Sequence, residues 1–192
     1  MRETRVHSRF MVGDVLLARL LAIPGKTIPM IRSLLLGAFA MTVFCGAIFG
    51  QSLPSTNLKD IEGNAVNTLD LVQEEGPTVF CFWATWCSPC KRELNNYAEL
   101  YDDWVEETGA KIVAVSIDDM RSMNRVAPYV NSVGWEYDIL LDPNREFARA
   151  LNVNNVPHTF VVNAEGVVVW DHNNYADGDE EELYQELLKL SK

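Results

Sequence analysis

Metal ligands are scarce in this chain of 192 residues, which holds four cysteines and three histidines. Cys87 and Cys90 form one Cys-x-x-Cys pair. No second pair follows, so a structural zinc site would lack half its ligands. Cations are also few. Sixteen Lys and Arg against 27 Asp and Glu leave a net charge of −11. So acidic a chain repels phosphate backbones, which argues against a nucleic-acid partner and reads as a solvated surface. No internal repeat appears. Glycine and proline are at ordinary levels, and the chain is 48% hydrophobic and 22% charged. Those proportions exclude a collagen-like or disordered chain and leave a globular protein with one well-buried core.

The charge is uneven. Residues 1–50 carry six basic and two acidic side chains, so the remaining 142 residues hold a net −15. Charges are absent from Leu34 to Phe49, a 16-residue stretch preceded by Arg32 and Ser33. A short basic region followed by such an apolar run reads as a secretory signal, with Gly50-Gln51 as a cleavage site. An uncleaved anchor is the alternative, since the uncharged stretch extends to Leu58, although the apolar core is short for a span. Lipidation at Cys45 fits poorly behind the bulky Phe44. The basic residues 1–29 are unusual ahead of a signal and suggest translation from Met30. Residues 1–50 are therefore expected to be an extension with a signal or membrane tether at 34–49. Residues 51–57 then read as a linker, and 58–192 as the folded domain.

Within that domain, Leu58–Ile61 and Ala65–Leu69 flank a Glu62-Gly63-Asn64 turn and read as a small hairpin. Thr78–Ala84 and Lys111–Ile117 are β-branched, aromatic runs suited to strands buried on both faces. Between them a helix runs from Pro89 to about Glu107, with Leu94, Tyr97, Ala98, Tyr101, Trp104 and Val105 on one apolar face, and Gly109 stops it. A helix from about Met120 to Val133, a strand at 137–141 and a short helix through Leu151 follow. Thr159–Asn163 and Val167–Trp170 form a hairpin around Ala164-Glu165-Gly166. A helix over 179–190 closes the chain. The pattern predicts an α/β fold, a central mixed sheet with helices on both faces and an N-terminal β-hairpin extension.

The chemistry centres on Trp86-Cys87-Ser88-Pro89-Cys90, where a buried strand passes into a helix. Two intervening residues let both sulfurs meet with acceptable disulfide geometry. Cys87 stands at the helix start, where unpaired N–H groups and the macrodipole favour an anion and lower a thiol's pKa. Pro89 suits the first turn, where its missing N–H costs nothing. Cys90, one turn in and better buried, is placed to resolve a mixed disulfide. An inert structural disulfide is the alternative for the same pair. Cys81, on the preceding strand, reads as a small buried hydrophobe.

The run Phe82-Trp83-Ala84-Thr85-Trp86-Cys87-Ser88-Pro89-Cys90-Lys91-Arg92-Glu93 resembles the active-site segment of the TlpA/ResA-type thioredoxins, which are extracytoplasmic and periplasmic or membrane-anchored. The resemblance extends over residues 55–190 and includes Val156-Pro157 and the Asn163–Gly166 turn. It implies a thioredoxin fold and thiol–disulfide exchange. Cys87 would attack a substrate disulfide and Cys90 would resolve the intermediate. Pro157 would be cis, presenting the Val156 backbone to a bound peptide. Trp83 would support the site from beneath, or simply pack in the core. Trp86, Ser88 and Pro89 would border the substrate. Glu93, one turn beyond Cys90, would tune the thiols and handle protons, against the alternative of a surface carboxylate in an ion pair. No metal and no cofactor beyond the redox-active disulfide are implied. The implied partners are extracytoplasmic protein thiols and disulfides, and a membrane electron donor of the DsbD/CcdA type.

Two departures stand out. Ser88 replaces an acidic residue found between the cysteines of some members. His158 follows Pro157 where a small hydroxyl residue is common; a charged imidazole beside the sulfur would make the pair more oxidising, and an exposed loop imidazole would not. A copper-binding assembly module is the competing function, with His158 and His172 as its imidazoles. A peroxidase fits less well, because Thr85 precedes Cys87 by two residues rather than three.

Overall fold

The computed structural model describes residues 50–191, so the expected signal or tether at 34–49, Met30 and Cys45 lie outside the described residues. Among the described residues, no helix is long and apolar enough to cross a membrane. The elements are β1 (Asn57–Asp60), β2 (Ala65–Asn67), β3 (Thr78–Trp83), α1 (Ser88–Thr108), β4 (Lys111–Ser116) and α2 (Val126–Val133). They continue with β5 (Asp138–Leu141), α3 (Glu146–Ala150), β6 (His158–Val162), β7 (Val168–Asn173) and α4 (Asp179–Leu190).

The strands form one seven-stranded sheet in the order β2-β1-β5-β4-β3-β6-β7. β3, β4 and β5 run parallel, whereas β6 lies antiparallel to β3 and β7 antiparallel to β6. The mixed α/β sheet and the N-terminal β1–β2 hairpin agree with the sequence. Every residue of β3 is buried, as its unbroken apolar run requires of the strand at the sheet centre. Parallel pairing of Trp83 with Ser116 carries the segments after β3 and β4 out at the same end of the sheet. The antiparallel start of β6 reaches that end too, because Phe82 pairs with His158.

Side-chain parity along the strands decides what each face holds. Cys81 and Thr159 are cross-strand partners on the face covered by α1. Phe80 and Phe82 point the other way and pack on Phe147 of α3, with ring centroids 5.4 and 5.3 Å apart. Helices therefore cover both faces, and α4 lies against α1 with Leu183 and Leu187 fully buried. Along α1, Leu94, Tyr97 and Trp104 are buried as the periodicity predicts, but Val105 faces solvent. Gly109 ends α1 in the left-handed region at φ 66°. Gly76 comes so close that a Cβ on it would meet the Gly109 carbonyl oxygen at 2.7 Å. Only glycine lets the strand entrance and the helix end approach this closely.

Two expectations are corrected. The helix expected from Met120 begins at Val126, after a short 3₁₀ turn at Met123–Arg125. Asp119 Oδ1 accepts from the backbone N–H groups of Arg121 and Ser122, both at 3.0 Å, which holds those residues in a turn. Pro128, in the first turn of α2, has no N–H to extend the helix backwards. Residues 51–57 are not a free linker either. Leu53 is buried and donates its N–H to the Gly166 carbonyl, Ser52 bridges to Val167, and β1 already starts at Asn57.

Candidate active site at the start of helix α1

Cys87 caps α1 from an extended conformation, and its sulfur accepts the Cys90 backbone N–H at 3.3 Å. The two cysteines are joined as a disulfide with Cα atoms 5.4 Å apart. Cys90 is fully buried, whereas Cys87 keeps 5% of its surface in solvent and is the more accessible of the two. Pro89 sits in the first turn, and Ser88 beside it is exposed. The Val156–Pro157 peptide bond is cis, and the Val156 carbonyl oxygen lies 3.8 Å from Cys87 Sγ. The chain thus brings the Cys-x-x-Cys pair and the Val156-Pro157 loop together across 69 residues.

Glu93 is 1% exposed and belongs to the interior. Its Oε1 accepts from Thr159 Oγ1 at 2.9 Å and Tyr97 Oη at 3.1 Å, while Oε2 is buried without a partner. Burial pushes its carboxyl up to about 8, and the two hydroxyl donors offset only part of that effect. The surface ion pair considered for Glu93 does not form. Burial, followed by the nearby Glu93, raises the free thiol of Cys81, so it is an inert hydrophobe in the wall of the same polar cluster.

The tryptophans divide. Trp83 is fully buried, packed on Trp135 and Tyr129 at 4.9 and 5.7 Å between ring centroids, so its contribution is core support. Trp86 is 62% exposed beside the sulfurs. His158 corrects the picture of an exposed loop imidazole. It opens β6, is buried, and stacks on Phe160 at 4.2 Å. Its Nε2 faces Asp171 Oδ2 at 3.0 Å and its Nδ1 faces Asn173 Nδ2 at 3.2 Å. Asn173 in turn exchanges two amide hydrogen bonds with Asn155. Both ring nitrogens of His158 are thus engaged by β7 rather than by the sulfurs.

Sequence reasoning missed several supports. Thr159 and Tyr97, the partners of Glu93, were not singled out, nor were Asn155, Asp171 and Asn173. The largest omission is Asp118, 1% exposed just after β4. Its carboxylate accepts from Thr85 N at 2.7 Å, Thr85 Oγ1 at 2.6 Å and Ser116 Oγ at 2.9 Å. This clamps the loop that delivers Cys87 and gives the Thr85 hydroxyl to a carboxylate. Among the described residues, no group of three His, Cys, Asp or Glu is arranged to hold a metal ion.

Comparison with known proteins agrees with the geometry. The AhpC/TSA family model matches residues 49–171. Thiol-disulfide oxidoreductase ResA of Bacillus subtilis (strain 168) is 36% identical over 121 residues, which cover 62% of this chain and 64% of that protein. The chain thus spans slightly under two thirds of that relative's length. Thiol:disulfide interchange protein DsbE of Haemophilus influenzae is 29% identical, covering 74% of each chain. The solution structure of a thioredoxin-like protein from Porphyromonas gingivalis superposes with a TM-score of 0.65 at 42% identity, over 72% of this chain and 91% of that one. The chain belongs to the AhpC/TSA family, among its TlpA/ResA-like members of thioredoxin fold.

Proposed function

We propose that this protein is a thiol–disulfide oxidoreductase that reduces disulfides in extracytoplasmic proteins. The observation that carries the reading is the Cys87–Cys90 disulfide at the start of α1, with the Val156 carbonyl beside its exposed sulfur and a buried carboxyl one turn behind. In the reduced protein the helix N-terminus favours the Cys87 thiolate. The thiolate attacks one sulfur of a substrate disulfide, forming a Cys87–substrate bond and releasing the other substrate sulfur as a thiolate that takes up a proton. Cys90 then loses its proton and attacks Cys87, which releases the second substrate thiol. Two electrons pass to the substrate, and the Cys87–Cys90 disulfide is left behind.

Glu93 supplies the proton handling for the second half of this sequence. With its carboxyl pushed up to about 8, it is largely neutral near neutral pH and does not repel the Cys87 thiolate. The ionised minority can accept the Cys90 proton from one helical turn away.

The reductive direction draws support from His158. A cation at Cys87 would stabilise the thiolate and make the pair oxidising, but the imidazole is turned toward Asp171 and Asn173. A role of the cytochrome c maturation type follows the resemblance to ResA and DsbE. A membrane donor of the DsbD/CcdA type would return electrons to the disulfide, and the apolar segment at 34–49 would carry or tether the domain outside the cytoplasm. Equilibration of the pair against glutathione is expected to give a potential well below that of the thiol pool. A potential well above it contradicts the reductive role. Stoichiometric Cu(I) binding without reduction of insulin would replace the whole reading with the copper-module alternative.

A further inference from the structure

The described domain is strongly acidic, yet the rim of the disulfide is not. Between residues 50 and 191 there are nine Lys and Arg against 25 Asp and Glu. Four of the nine cations, Lys91, Arg92, Arg121 and Arg125, fall in the two segments that follow β3 and β4. Parallel pairing brings those segments to one end of the sheet, and the Thr85–Asp118 hydrogen bonds fasten them together. Lys91 lies over the Tyr129 ring, 5.3 Å from its centroid, which ties the first turn of α1 to α2. Arg92, Arg121 and Arg125 are exposed. Over residues 84–92, 117–133 and 152–157 the only carboxylates are Asp118, which is buried, and Asp119, 3.5 Å from Arg121. Across the site, Asp171 of β7 is the exposed carboxylate that faces His158 Nε2, at 3.0 Å.

Apolar surface is exposed in the same place. Trp86 is 62% and Met120 69% exposed, the two largest fractions among the exposed large hydrophobic residues. Neither packs in the core. Met120 stands two residues beyond Asp118 and Trp86 one residue beyond Thr85, so the hydrogen bonds between Asp118 and Thr85 tie together the two loops that carry them.

We propose that this rim is the docking surface for polypeptide disulfides flanked by acidic residues, with Trp86 and Met120 as apolar anchors and Lys91, Arg92, Arg121 and Arg125 as the charged border. The proposal rests on the thiol–disulfide exchange assigned above and specifies its substrate class. The domain as a whole would repel an acidic peptide, so distance decides the outcome. At about 0.1 M ionic strength the screening length is about 10 Å. The carboxylates at the far end of α1 are then screened from a peptide at Cys87, while the rim cations are not. Those in the first turn of α4, Asp179 to Glu182, lie on the β7 side of the site, with Asp179 3.4 Å from His172, and leave the cationic border on the side of α2. Charge at such a rim acts on encounter and orientation. Aromatic and methionine side chains supply adaptable contact area for varied sequences.

The test uses the reduced full chain and three short peptides that carry the same disulfide, flanked by acidic, neutral or basic residues. A small neutral disulfide, bis(2-hydroxyethyl) disulfide, serves as the control. At about 0.1 M ionic strength the acidic peptide is expected to react about 5–10-fold faster than the basic one, the ratio falling toward unity at about 1 M salt. Arg125→Gln should lower the ratio and Arg125→Glu lower it further, with the reaction of the neutral disulfide unchanged. Met120→Ser should slow all three peptides equally and independently of salt. Equal rates for the three peptides, or a preference for the basic one, overturns the proposal while leaving disulfide exchange intact. No reaction with the neutral disulfide overturns the function itself. Self-association that buries the rim, seen as a concentration-dependent sedimentation coefficient, would assign the surface to a second copy of the chain and also overturn the proposal.

Discussion

Replacing Glu93 with Gln tests the interior of the site through the pH dependence of stability. The unfolded chain presents this carboxyl with its ordinary value of 4.5, whereas burial raises it to about 8 in the folded protein. Each tenfold change in proton affinity corresponds to about 1.4 kcal/mol. Below about pH 4.5 both states hold the proton and Glu93 carries no pH-linked cost. As pH rises the unfolded chain releases the proton and the folded one keeps it, so stability falls. By about pH 7 the loss is about 3 kcal/mol, and it levels off above about pH 8 near 5 kcal/mol. The Glu93→Gln variant has no such dependence. The new amide oxygen can still accept from Thr159 and Tyr97, and the amide hydrogens stand where Oε2 has no partner, as the proton of neutral Glu93 does. The cost of that unpaired donor is about 1–3 kcal/mol and independent of pH. Calorimetry of both oxidised proteins between about pH 4 and 9 should therefore show the variant gaining on the wild type by about 10 °C in Tm between about pH 4 and 7, and by more above that. Titrations elsewhere are common to both and cancel in the difference. Curves that stay parallel over that interval would show that Glu93 is already ionised in the folded protein, and would remove its proton-handling role.

Three further outcomes are expected. Asp118→Ala leaves the Thr85 N–H and the Thr85 and Ser116 hydroxyls without their acceptor, which should cost about 3 kcal/mol, or about 10 °C in Tm. Asp118→Asn, which keeps an acceptor oxygen, should recover part of the loss, and a melting temperature unchanged in the alanine variant contradicts the clamp. Native reduced protein treated with iodoacetamide should be alkylated at Cys87, with Cys81 modified only after denaturation, because Cys81 is fully buried and its thiol raised. Labelling of Cys81 at a rate near that of Cys87 would contradict its burial. Trp86→Ala should change stability by less than about 0.5 kcal/mol, as an exposed side chain does, yet slow exchange with peptide disulfides. Unchanged peptide rates would separate Trp86 from the substrate surface.

What could be read along the chain was local. The strand-to-helix passage at Cys87, the buried runs of β3 and β4 and the glycine stop at Gly109 depend on neighbours a few residues apart. Glu93 was legible because one helical turn separates it from Cys90. The partners of these residues were not. Asp118 meets Thr85 across 33 residues, and Thr159 meets Glu93 across 66, so both contacts follow from strand register. Register also decided His158. A shift of one residue along β6 would have turned the imidazole toward α1 and Thr159 away from Glu93, and nothing in the local sequence excludes it. The start of α2 was misplaced because an apolar period cannot reveal that the Asp119 carboxylate captures the N–H groups of the following turn. Residues 51–57 read as a linker from their polarity, but Leu53 had a place in the core.

The most direct test of the central claim is to trap the intermediate. In Cys90→Ala the resolving thiol is gone, so attack by Cys87 on a protein disulfide should stop at the mixed disulfide. Mass spectrometry of a non-reducing digest is expected to find the substrate cysteine attached to Cys87, and Cys87→Ala should yield no adduct. A mixed disulfide on Cys81, or none on Cys87 under conditions where the wild-type protein reduces the same substrate, would contradict the account.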